Sequence, residues 1–148
     1  MKKKFLNITI FLLLLAGSFS ACKKHETETP FTEYSLIDTL CQWENLNYDS
    51  KVNIVNSNKE LEKYIACIDS SYSEIDFSKY TLLLTCGRTN YGILDINTTF
   101  LKNNTNKYTL NIIVHLNVAM VAEKWTVAIL VSKISDNATI KLNVQQTH

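Results

Sequence analysis

After one short helical stretch the hydrophobic period of this chain becomes two-residue, which constrains its fold more than any other feature. From Lys107 to Val118, Leu110, Ile112, Val114, Leu116 and Val118 alternate with Thr109, Asn111, Ile113, His115 and Asn117. Successive side chains of a strand point to opposite faces, so this spacing offers one face to a core and a largely polar face to water. Ile140, Leu142 and Val144 repeat the pattern against Thr139, Lys141, Asn143 and Gln145. Both stretches are expected as half-buried antiparallel strands. Tyr80 to Cys86 and Trp125 to Val131 differ, being apolar on both faces. That pattern predicts central strands covered on both sides.

The helical period comes earlier. Ser57 lies three residues before Glu60, a capping-box spacing in which hydroxyl and carboxylate each satisfy a backbone N–H at a helix start. Leu61, Tyr64, Ile65 and Ile68 then form one apolar stripe, which predicts an amphipathic helix from about residue 58 to 68. Val52, Ile54 and Val55 suggest a strand before it, and Tyr34 to Cys41 another. Residues 102–107 and 135–138 are short enough for hairpin turns. The sum is an α+β domain over residues 33–148, with one short amphipathic helix packed on a mainly antiparallel, barrel-like sheet built as a meander.

Residues 1–21 do not belong to that domain. Lys2, Lys3 and Lys4 precede an apolar run from Phe5 to Leu15, then small residues ending at Cys22. Phe19-Ser20-Ala21-Cys22 resembles the lipobox of bacterial lipoprotein signal peptides, with Phe19 where leucine is more usual. The resemblance implies cleavage before Cys22, acylation of its sulfur with palmitate-type chains, and anchoring at the bacterial cell envelope, expected at the outer membrane. Two or three acyl chains hold a protein stably where one is marginal. Residues 22–32, polar and closed by Pro30, read as the lipidated cysteine and its tether.

Losing residues 1–21 removes three lysines and no acid, so the formal charge falls from +1 to −2. This balance lacks the basic stripe of nucleic-acid binders. Of four cysteines, Cys41, Cys67 and Cys86 remain beside Cys22, enough for at most one internal bridge, and Cys67 with Cys86 is one pairing to consider. None is spaced C-x-x-C, so neither a metal knuckle nor a redox motif is indicated, and no cofactor motif occurs.

The segment Cys86-Gly87-Arg88-Thr89-Asn90-Tyr91-Gly92 holds both glycines that follow Cys22 and the sole arginine of the chain. Gly87, Arg88, Asn90, Tyr91 and Gly92 therefore make a candidate binding loop, combining backbone freedom, a forked cation and an aromatic ring. Ala119-Met120-Val121-Ala122 interrupts the alternation before Trp125 and, if exposed, would add an apolar patch. An enzyme reading, as a small hydrolase or thiol enzyme, needs Cys86 as nucleophile and His115 as base, since His25 and His148 lie near the ends. The period sets those two on different kinds of face.

Ile75-Asp76-Phe77-Ser78-Lys79-Tyr80 leading into an apolar strand, then Gly87, Gly92-Ile93 and Trp125, resembles the C-terminal domain of protease-complex B-type proteins and related small envelope lipoproteins over about residues 50 to 146. The resemblance implies a noncatalytic, protein-associating β domain. The expected function is thus a membrane-anchored accessory or binding module with a protein partner, with a protease-associated or inhibitor-like module as an alternative.

Overall fold

The computed structural model describes residues 26–48, 51–68 and 72–148. Ten strands dominate it: β1 (Thr27–Glu28), β2 (Phe31–Glu33), β3 (Cys41–Trp43), β4 (Asn53–Val55), β5 (Ile65–Cys67), β6 (Tyr80–Thr89), β7 (Ile93–Asn104), β8 (Lys107–Leu116), β9 (Glu123–Ser132) and β10 (Thr139–Thr147). Helix α1 spans Asn58–Leu61 between β4 and β5. The chain is β-rich rather than α+β, and none of its sheets closes into a barrel.

One four-stranded sheet has the order β1-β7-β8-β10, a second β2-β9-β6-β4, and β3 pairs with β5 in a separate ribbon. The period-two faces explain how they stack. Leu110, Ile112, Val114 and Leu116 of β8 share one core with Leu83 of β6 and Trp125, Val127, Ile129 and Val131 of β9, so the two large sheets lie face to face. The alternate residues Leu82, Leu84 and Ala128 enter a second core with Val55, Leu61, Ile65 and Ile75. β6 and β9 are therefore covered on both sides, as their unbroken apolar runs require, with α1 and the ribbon forming the outer layer.

Several expectations change in the fold. The capping box is present: the Ser57 hydroxyl accepts from the Glu60 N–H, and the Glu60 carboxylate accepts from the Asn56 N–H at 2.7 Å. The helix nevertheless stops at Leu61, because Ile65–Cys67 pairs with Cys41–Trp43 instead of continuing the spiral. Leu61 and Ile65 stay buried while Ile68 is 87% exposed. The stretch from Tyr34 to Cys41 is not a strand; Asp38 adopts a left-handed φ of 68°, which turns the chain between β2 and β3.

The meander is also replaced. Residues 102–107 do form the β7–β8 hairpin, with Asn106 left-handed at φ 56°. Residues 135–138 instead arch from one sheet to the other, as does the β8–β9 connection. Two successive crossings reverse the chain twice, so β10 returns beside β8 parallel to it, from Thr139 opposite Lys107 to Thr147 opposite His115. Folded structure also begins before residue 33, since Thr27–Glu28 pairs with β7 and Phe31–Glu33 with β9.

One polar contact joins distant segments of the outer layer, and another is local to the turn before β6. The Tyr34 hydroxyl, its pKa pushed up to about 12 by burial and then by Tyr72, donates to the Ser73 carbonyl at 2.7 Å. At the entry to β6, hydrogen bonds from Lys79 first and Ser78 second hold the pKa of the exposed Asp76 carboxyl down at about 2.

Candidate functional site

Most of the expected loop is strand. Cys86, Gly87, Arg88 and Thr89 complete β6, leaving Asn90, Tyr91 and Gly92 to cross to β7. Neither glycine has a positive φ, so conformational freedom is not what they supply. Gly87 lies opposite Trp125 in the ladder, and a Cβ there would sit 2.3 Å from Trp125 Cζ2. A Cβ on Gly92 would meet the Asn117 side-chain amide at 2.6 Å. At Gly87 the space is taken by a buried ring that cannot move aside, whereas at Gly92 it is taken by the end of the Asn117 side chain, which can shift. Gly87→Ala is accordingly expected to cost about 1–3 kcal/mol through overpacking against a buried ring, read as a lower urea midpoint with altered tryptophan emission.

Arg88 is exposed on the outer face of the β2-β9-β6-β4 sheet, directly opposite exposed Lys124. Tyr48 lies beneath both: the Arg88 guanidinium carbon is 4.3 Å from the ring centroid and the Lys124 ammonium 5.3 Å. Gln146 donates its side-chain amide to the Arg88 carbonyl at 3.2 Å, tying this end of β6 to β10. Asn90 is exposed. Tyr91 is half-buried against the inter-sheet core and edge-on to His148 at 4.8 Å, so it places the loop more than it projects from it.

The β8–β9 connection meets this loop. The Gly92 N–H donates to the Ala119 carbonyl and the Asn117 N–H to the Gly92 carbonyl, each at 2.9 Å. Val118 at 93%, Met120 at 84% and Val121 at 56% are exposed, as is Leu94 at the start of β7, where the register slips between Ile93 and Asp95. The alternation of β8 thus ends before Val118, which faces solvent. Trp125 stays in the core and does not join the patch; its indole N–H has no hydrogen-bond partner among the described residues.

Cys86 and His115 are not brought together. Cys86 is 1% exposed, shares the outer-layer face of β6 with Leu82 and Leu84, and donates its thiol to the Asn47 carbonyl at 3.4 Å. His115 is on the solvent face of β8, bonded to Asn97 at 2.9 Å and Thr147 at 3.0 Å. Two stacked sheets separate them, and stacked sheets lie about 10 Å apart. The bridge is Cys41–Cys67, not Cys67 with Cys86: the partners are directly opposed in the β3–β5 ribbon, their Cα atoms 4.1 Å apart. Cys22 lies outside the described residues.

One cavity has no counterpart among the sequence motifs. A cleft of about 510 Å³ opens where β2 leaves the edge of β9 uncovered, with Tyr34, Trp43, Ile96 and Val127 among its walls. Its residues are scattered over four chain segments, so no local pattern announces it.

The architecture defines a two-sheet β sandwich with a disulfide-closed outer ribbon and an exposed apolar and basic end. No family model, curated protein or solved structure matches the chain.

Proposed function

We propose that this protein is a lipid-anchored envelope lipoprotein whose sandwich is a non-enzymatic binding module, contacting a protein partner through the end that carries Arg88. The observation that carries the reading is the exposure of Val118, Met120 and Val121 on the β8–β9 connection and of Leu94 at the start of β7, just after Gly92, which is hydrogen-bonded to that connection. Large apolar side chains gathered on a monomer's surface mark interaction sites more often than chance scatter. Arg88 and Asn90 border the group and supply polar specificity.

The envelope location is supported by the Cys41–Cys67 bridge, since disulfides persist in oxidising compartments. The direction of the strands fits an anchor. Glu26, the first described residue, is held at the β7–β8 hairpin by the Asn103 amide, whereas Arg88 lies beside the start of β7. The twelve residues of β7 separate those ends by about 35 Å at ~3.3 Å per residue. A chain anchored through Cys22 would present the apolar and basic end away from the membrane.

The test uses native envelope. Cys22→Ala is expected to release a folded protein from membranes and abolish fatty-acid labelling. Val118→Ser with Met120→Ser should keep the melting temperature but weaken partner capture by about thirtyfold or more, the loss that corresponds to about 2 kcal/mol for one interface hot spot. Labelling that persists without Cys22 rejects the anchor, and unchanged capture by the double variant rejects this end as the contact.

A further inference from the structure

We infer that Arg88 and Lys124, set over Tyr48, receive a carboxylate from an acidic segment of the protein partner, an inference that rests on the partner-contact reading above. Arg88 and Lys124 are directly opposed in the β6–β9 ladder. Like charges in that relation repel, and a sheet ordinarily avoids the pairing or places an acid beside it. Among the described residues, neither cation forms an ion pair; the surface bridge present is Lys79 with Asp76, on another part of the chain. Among the described residues, no carboxylate pairs with either cation on this exposed face.

Tyr48 makes the pair a site rather than two loose charges. Its ring centroid lies 4.3 Å from the Arg88 guanidinium carbon and 5.3 Å from the Lys124 ammonium, so both cations have a common aromatic neighbour, and the ladder sets them side by side on one face. A guanidinium lying over a ring keeps N–H groups along its edge, and that fork matches a planar carboxylate in a bidentate contact. The adjacent ammonium supplies a second donor to the same anion.

Two features favour an acidic peptide over a lipid phosphate. The pair lies at the end of the sandwich away from Glu26, where the described chain begins. It is also contiguous with the apolar connection, Val121 standing three residues before Lys124 on the way into β9. A ligand spanning both would carry carboxylates interleaved with apolar side chains. The formal charge is +1 for the full sequence and −2 without residues 1–21, so no overall positive charge draws an anion and the attraction is local to this pair.

The probe is a fluorescent hexapeptide alternating glutamate and leucine, titrated into the purified protein at low salt and followed by anisotropy. Saturable binding is expected, falling at least about tenfold in Arg88→Gln with Lys124→Gln, where charge-assisted contacts are lost. Lys107→Gln with Lys141→Gln, on exposed positions of the other sheet, should change it by less than about twofold, as isolated surface charges do. The melting temperature of the Arg88, Lys124 variant should hold or rise, because the repulsion is gone. Equal binding by both double variants, or binding of a glutamine-for-glutamate peptide as tight as the probe, overturns the inference. So does an Arg88-dependent affinity for phosphatidylglycerol vesicles or inorganic phosphate without affinity for the peptide. Native capture separates the two readings: loss on changing Val118 and Met120 but not on changing Arg88 and Lys124 leaves the contact and removes the carboxylate, whereas no loss in either removes the contact itself.

Discussion

Cutting Ile112 or Ile129 to alanine is expected to lower the unfolding free energy by about 2–5 kcal/mol, the usual range for removing a fully buried isoleucine. Ile112 is 1% exposed on β8 and Ile129 is fully buried on β9, and both enter the core between the two large sheets. They belong to facing sheets rather than to neighbouring strands, so either truncation opens a void that two rigid layers cannot collapse to fill. His115→Ala on the same strand as Ile112 should cost less, about 1 kcal/mol, since it loses an exposed hydrogen bond to Asn97 and a part-buried one to Thr147 at the rim of the sheet. Urea denaturation at constant m-value gives all three figures. A His115 loss equal to that of the isoleucines would mean that the inner and outer faces of β8 had been exchanged.

Breaking Cys41–Cys67 should be nearly as damaging. The bridge closes a loop of sequence separation 26, for which chain-entropy arguments give about 3.5 kcal/mol. The local structure makes that figure matter. β3 and β5 have three residues each, and an isolated two-stranded ribbon is marginal in water. Without the cross-link, the ribbon and Leu61 would open together, exposing the outer face of β6 and β9. Reduction, or Cys41→Ser with Cys67→Ser, is therefore expected to lower the urea midpoint and raise binding of a hydrophobic dye before global unfolding. Thiol titration supplies the check: besides Cys22, the oxidised protein should show one reactive thiol, Cys86, and only after denaturation, because Cys86 is buried. An oxidised and a reduced sample with the same midpoint would show that the ribbon docks without its bridge.

The Arg88 end is partly legible in the sequence, and the reason lies in what kind of signal each residue carries. Arg88, Tyr91 and the two glycines stand out by composition, within seven consecutive residues. Lys124 and Tyr48 do not, because they reach Arg88 only through the β6–β9 pairing and a fold-back of the chain before β4. No spacing in the sequence joins positions 48, 88 and 124. The glycines matter for a different reason than turn chemistry suggests: a turn is a local property, whereas the Trp125 ring over Gly87 comes from the neighbouring strand.

What the sequence determined by itself is the set of faces. Alternation over Lys107–Leu116, and its absence in Tyr80–Cys86 and Trp125–Val131, follows from burial of individual residues, which a strand's two-residue period writes directly into the chain. The Ser57–Glu60 cap is local for the same reason. Tertiary structure alone decided which strands pair and in what direction. The pattern of β10 suits a parallel neighbour as well as an antiparallel one, and only the double crossing through β9 makes it parallel to β8. The same level of organisation cut the helix at Leu61, joined Cys41 to Cys67, and turned Val118 out to solvent where β8 ended. A periodic apolar run records that one face of its strand is to be buried; which surface buries it, and where the run ends, is settled by the packing of the whole chain, and no window of ten residues contains that information.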